Sequence, residues 1–156
     1  MFLDAHTFRN VVASTPLISI DLIVENLRGQ ILLGQRLNRP AQGYWFVPGG
    51  RIQKNETLNN AFTRLSETEL GYTLFRSDAK FLGVYEHLYK DSVFGDSEVS
   101  LNTHYVVLAY HATLTTSTKL KPPKTQHEHF RWWSRDEIKS SDEVHDNTRI
   151  YIDSLY

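Results

Sequence analysis

The chain has 156 residues, 40% of them hydrophobic and 22% charged, with 17 basic side chains against 18 acidic ones and a formal net charge of −1. That length and balance fit one globular domain over residues 1–156, and leave no electrostatic surplus calling for a nucleic-acid or membrane partner. The absence of cysteine excludes a disulfide scaffold, a thiolate metal site and a cysteine nucleophile.

The opening Met1-Phe2-Leu3-Asp4-Ala5-His6 has no basic or apolar leader pattern, and no apolar run nears the roughly 20 residues of a membrane helix. A cytoplasmic protein is the expectation. Leu17 to Glu25 reads as a strand, with Ile18, Ile20, Leu22 and Val24 alternating onto one face. Asn26-Leu27-Arg28-Gly29 supplies turn chemistry, and Gln30 to Leu33 returns as the hairpin partner. Arg36 to Gly43 reads as a polar loop. Tyr44 to Val47 is a short strand that Pro48-Gly49-Gly50 is expected to end. Leu58, Ala61, Phe62 and Leu65 fall at the spacing of one buried helical stripe, with Gly71 as its stop. Phe81 to Tyr89 and Thr103 to Thr113 read as strands, joined by a polar, acidic connection from Lys90 to Asn102. Lys119 to Glu128 is a second polar loop. Phe130 to Trp133 is a last strand, followed by a helix that Ser134 caps with Glu137 as its reciprocal partner. A further helical segment is weakly marked from Asp146 onward. Strands, helix, strands and helix in that order imply a mixed sheet with helices packed on it.

The segment from Gly50 to Gly71 carries the chemistry. A glycine-rich turn, which allows close backbone approach to a ligand, feeds a helix bearing carboxylates. Glu69 lies four residues past Leu65, beside the buried stripe rather than opposite it. A carboxylate there, next to an exposed carbonyl, suits a hard cation such as Mg²⁺, which takes few protein oxygens and fills its shell with water and phosphate. A plain amphipathic helix with a salt-bridged end accounts for the same residues, and on spacing alone both readings stand.

The spacing resembles the Nudix box, matching it at Gly50, Glu56, Arg64, Glu69 and Gly71. It departs at Leu65 and Thr68, where the box has glutamates that hold metal and activate water for attack on a diphosphate phosphorus. The run from Asn38 to Arg51, the Arg64-Leu65 pair, Thr103 to Leu108 and Gln126-His127 together resemble the GDP-mannose mannosyl hydrolases. The similarity runs from about Phe2 to Tyr151.

The resemblance implies an α/β fold, a Nudix-like α/β/α sandwich around a mixed β-sheet. It also implies hydrolysis of GDP-mannose to GDP and mannose by water attack at the anomeric carbon with inversion. Glu69, the Gly49 carbonyl and Gln126 would then hold Mg²⁺, with Mn²⁺ also compatible with oxygen ligands. His127 would be the general base, since its ordinary pKa lies near neutrality; the plain alternative is one of seven surface histidines. Arg36 and Arg51 would neutralise phosphate. Arg64 would do the same or pair with Glu56. Tyr105 would donate to the leaving phosphate, and Asp21 and His87 would meet the sugar. Family members resemble homodimers in which residues around Phe2 and Phe8 help recognise guanine across the interface. Glu25 reads as a solvated charge. Cleavage of the diphosphate itself, and an inactive domain that senses nucleotide sugars, are the alternatives.

Overall fold

A computed structural model describes residues 2–94, 101–115, 120–121 and 127–155, with the backbone alone at 127 and 128. The elements run α1 (Ala5–Ser14), β1 (Leu17–Glu25), β2 (Ile31–Arg36), β3 (Trp45–Phe46), β4 (Gly49–Arg51), α2 (Leu58–Leu70), a short 3₁₀ turn, β5 (Lys80–Tyr89), β6 (Thr103–Thr113), β7 (His127–Trp133), α3 (Arg135–Ser140) and α4 (Asp146–Ile152).

The seven strands form one mixed sheet with the path β3-β2-β1-β6-β5; β4 pairs with β1 and β7 with β2. β1 and β6 are parallel along their whole length, from Leu17↔Tyr105 to Glu25↔Thr113. β1 and β2 meet only at Glu25↔Ile31, and β4 takes the place beside β1 at Ser19, Ile20 and Asp21. β3 stops before Pro48, as expected, but a further strand begins at Gly49, where turn chemistry alone was expected. The Pro48 carbonyl accepts from the Leu22 amide at 2.8 Å, and the glycines lie close against β1. A Cβ on Gly49 would strike the Ile20 carbonyl, so only glycine permits that approach.

Both faces of the sheet are covered. On one, Ala61, Phe62, Leu65 and Leu70 of α2 pack on Ile20, Leu22, Val24, Leu32 and Tyr110. On the other, Ile138, Tyr151 and Ile152 of α3 and α4 pack on Ile23, Ile31, Leu33, Ala109 and Trp133. Each fully buried large apolar side chain contributes about 1.5–3 kcal/mol. β1 thus alternates between two cores rather than between core and water, and Ile18, placed on its apolar face by periodicity, is 51% exposed.

The helix ends follow local chemistry. Thr57 caps α2 by accepting from the Asn60 amide, and Gly71 ends it at φ 65°. Ser134 and Glu137 form the expected reciprocal cap on α3. Helix α1 was not expected, although Asp4 caps it from the Thr7 amide and Phe8, Val11 and Val12 lie on its packed side. Glu25 is not a solvated charge. Its carboxylate, 15% exposed, accepts from Arg135 at 2.5 Å and lies 3.2 Å from His111 Nε2, because β1, β6 and α3 converge there.

Candidate functional site

A cavity of about 470 Å³ lies where β1, β2, β4, β5, β6 and α2 converge under the N-terminal segment. Its wall takes Asp21 from β1, Arg36 from β2, Gly49 and Arg51 from β4, Arg64 and Glu69 from α2, His87 from β5 and Tyr105 from β6, with Phe2 and Phe8 from the N-terminal segment. Ten of the residues singled out by sequence therefore share one wall. Gln126 lies outside the described residues, as does the His127 side chain. The backbone of His127 pairs with Arg36 in the β2–β7 ladder. His127 thus begins a strand, where sequence placed it in a loop.

The two halves of the cavity differ. On the α2 side Glu69 is 7% exposed. Burial pushes its carboxyl up to about 7, while Arg36 and Arg64 pull the other way. Neither a hydrogen bond nor an ion pair engages it among the described residues. A desolvated carboxylate opening on a cavity, beside a backbone strand that only glycine can form, fits a hard divalent cation held by few protein oxygens. Among the described residues no three His, Cys, Asp or Glu side chains cluster as a cage. Leu65, 2% exposed, fills the neighbouring position: a Cβ on Gly50 would lie 2.6 Å from its Cδ2. Thr68 is exposed at the cavity rim, its hydroxyl 3.4 Å from the Leu65 carbonyl.

The arginines are held in different ways. Arg64 grips Glu56 with both arms of its fork, at 2.7 and 2.9 Å, and donates to the Arg51 carbonyl at 3.0 Å. That pairing holds the Glu56 carboxyl below its usual range. Arg64 thus clamps the β4–α2 loop to the helix while it lines the cavity. Arg36 Nε donates to the Pro40 carbonyl at 2.9 Å. The Arg51 guanidinium lies 5.3 Å from the centre of the Phe8 ring.

Asp21 accepts from the Tyr151 hydroxyl at 2.6 Å. Burial pushes Asp21 up to about 7, against the pull of Tyr151 and Arg36. His87, 3% exposed, is pushed down to about 4 by burial, so it is neutral near pH 7. Burial also raises Tyr105, which keeps its proton and remains a donor. Sequence reasoning missed Tyr151. A signal existed, since Thr148, Tyr151, Ile152 and Leu155 are all buried at the spacing of one helical stripe. A tyrosine on such a stripe reads as core, and its partners come from β1 and β5.

The family model for the NUDIX domain matches residues 15–154. A Haloferax volcanii protein described as low-salt glycan biosynthesis protein Agl8 is 43% identical over 104 residues, 67% of this chain. The chain spans 63% of that relative's length. Among solved structures, a MutT NUDIX hydrolase from Burkholderia pseudomallei matches with a TM-score of 0.72 and 26% identity, over 92% of this chain and all of that one. The NUDIX domain of Shewanella oneidensis NrtR, solved with ADP ribose, matches with a TM-score of 0.68 over 98% and 96% of the two chains. At 17% identity that likeness speaks for the fold alone. With its box segment built as a glycine strand feeding a carboxylate helix, the chain belongs to the NUDIX domain family and has that family's α/β/α fold.

Proposed function

We propose that this chain is a hydrolase that releases mannose from GDP-mannose, or the sugar from a closely similar GDP-sugar, by attack of water on the anomeric carbon. The observation that carries the reading is the pairing of Leu65 with Glu69 on α2. Glu69 keeps a carboxylate at the cavity, while Leu65 lies against Gly50 where attack on phosphorus would draw on a further carboxylate. A diphosphate leaving group needs its charge neutralised more than it needs a proton. Mg²⁺ or Mn²⁺ held by Glu69, Gln126 and the Gly49 carbonyl would supply that neutralisation when bound. Arg36 and Arg51 add positive charge, Tyr105 donates a hydrogen bond to the phosphate, and Arg64 orders the wall that carries them. His127 takes one proton from the attacking water. The new C–O bond forms as the bond from the anomeric carbon to the diphosphate oxygen breaks with inversion, giving free mannose and GDP. Asp21 and His87 meet the sugar.

The glycan-biosynthesis description of the Haloferax relative is in keeping with a sugar nucleotide. We further propose a single domain acting as a cytoplasmic homodimer, with Phe2 and Phe8 at the guanine. No described helix is long and apolar enough to cross a membrane. Cleavage of the diphosphate is the second reading, favoured by the likeness to a protein named a NUDIX hydrolase. Chromatography of the products separates the two. GDP with free mannose supports the proposal, and GMP with mannose 1-phosphate supports the alternative.

A further inference from the structure

Tyr151 stands behind the Asp21 side of the cavity and is completely enclosed. Its hydroxyl lies 2.6 Å from Asp21 Oδ2 and 3.3 Å from His87 Nε2. A tyrosine hydroxyl has one proton to give and lone pairs with which to accept. The shorter contact, to a carboxylate, takes the proton. The longer one is then a hydrogen bond only if His87 donates from Nε2. Because His87 is neutral, a proton on Nε2 leaves Nδ1 as an acceptor. One hydroxyl thereby links side chains from β1 and β5, strands that β6 separates.

The hydroxyl is itself fixed by packing. The Tyr85 ring meets the Tyr151 ring edge-on, with centroids 4.8 Å apart, and the Tyr85 hydroxyl lies 3.0 Å from Ser154 Oγ. The second Asp21 oxygen, Oδ1, comes within 2.6 Å of where a Gly49 Cβ would stand. The arginines that line the cavity have only protons to offer. In its ionised form, which the hydrogen bond from Tyr151 favours, Asp21 has only lone pairs at Oδ1, as has His87 at Nδ1. Phosphate suits the first set, and hydroxyl donors suit the second.

We propose that Tyr151 is a positioning residue for sugar recognition: its hydroxyl fixes Asp21 and His87 as a pair of hydrogen-bond acceptors for hydroxyl protons of the hexose. This rests on the reading above that Asp21 and His87 meet the sugar. A hexose with one hydroxyl inverted leaves one buried acceptor unpaired, which is how such a pair discriminates.

The test is Tyr151→Phe, which keeps the ring and its packing. With GDP-mannose, KM is expected to rise about tenfold, the loss of one charge-assisted hydrogen bond, and the preference over GDP-glucose to narrow. Inhibition by GDP, which lacks the sugar, stays unchanged. In the unmodified protein, long-range ¹H–¹⁵N spectra are expected to show His87 protonated on Nε2. Equal weakening of GDP-mannose and GDP would mark general loosening and overturn the inference. So would a proton on His87 Nδ1 in the unmodified protein, a readout that does not depend on the variant folding. An unchanged KM in Tyr151→Phe, alongside a raised KM in Asp21→Asn, overturns the inference and leaves the sugar reading intact. An unchanged KM in Asp21→Asn removes the sugar reading and the inference with it.

Discussion

Leu65 and Glu69 sit one helical turn apart on α2, and their contrast sets the chemistry. The leucine is buried against backbone, whereas the glutamate is buried without a partner among the described residues and opens on the cavity. Glu69→Gln keeps the shape and removes the charge. Its apparent affinity for Mg²⁺ is expected to fall at least about tenfold, because even outer partners of a metal site carry that much; activity titrated against Mg²⁺ measures it. Unchanged Mg²⁺ dependence would remove Glu69 from the metal site. Arg64 makes a different prediction. Among the described residues, alanine there leaves Glu56 with only the Gln53 amide, at 2.7 Å, and removes the Arg64 donor from the Arg51 carbonyl. Urea unfolding of Arg64→Ala is expected to show a loss of about 1–3 kcal/mol. Lysine, a point charge without a fork, should recover only part of it.

At the scale of elements, the close approach of β4 to β1 and the stop of α2 both depend on glycine. A Cβ on Gly71 would strike the Lys121 carbonyl, and its φ of 65° is itself unfavourable for other residues. Gly71→Ala is expected to cost about 2 kcal/mol or more by denaturant unfolding; a neutral result would contradict the packing described for the α2 terminus. Much of this was legible in the sequence. Strand alternation placed β1 with its observed bounds, the i, i+3, i+4, i+7 stripe placed α2, and Ser134 with Glu137 placed α3. The misses share a cause. Turn chemistry at Pro48-Gly49-Gly50 concealed a strand, because the sequence does not show which backbone lies a few ångströms away. Glu25 read as solvated because Arg135 and His111 are far from it along the chain. Tyr151 was not singled out because its polar partners arrive from β1 and β5. The charged cavity wall was legible from the family pattern, whereas the Asp21–Tyr151–His87 link needed the tertiary fold.

For the molecule as a whole, buried titratable groups make stability depend on pH. Asp21 and Glu69 are lifted to about 7, so between pH 4 and pH 7 the folded protein keeps protons that the unfolded chain has released. Their contribution is present below that window and is lost as pH rises through it. His87 is lowered to about 4, so the unfolded chain gains a proton below about 6.5 that the folded one refuses. Its contribution is present above that value and is lost as pH falls. The two effects oppose each other. Asp21→Asn deletes one carboxyl contribution, so the change in Tm from pH 4.5 to pH 7 without metal should be more positive in the variant than in the unmodified protein. Parallel pH profiles would contradict the burial assigned to Asp21. The central claim, attack on carbon, is tested most directly by turnover of GDP-mannose with Mg²⁺ in ¹⁸O-labelled water, with the products resolved by mass. Label in free mannose and none in GDP is the expected result. Label in GMP or mannose 1-phosphate would place the attack on phosphorus and contradict it.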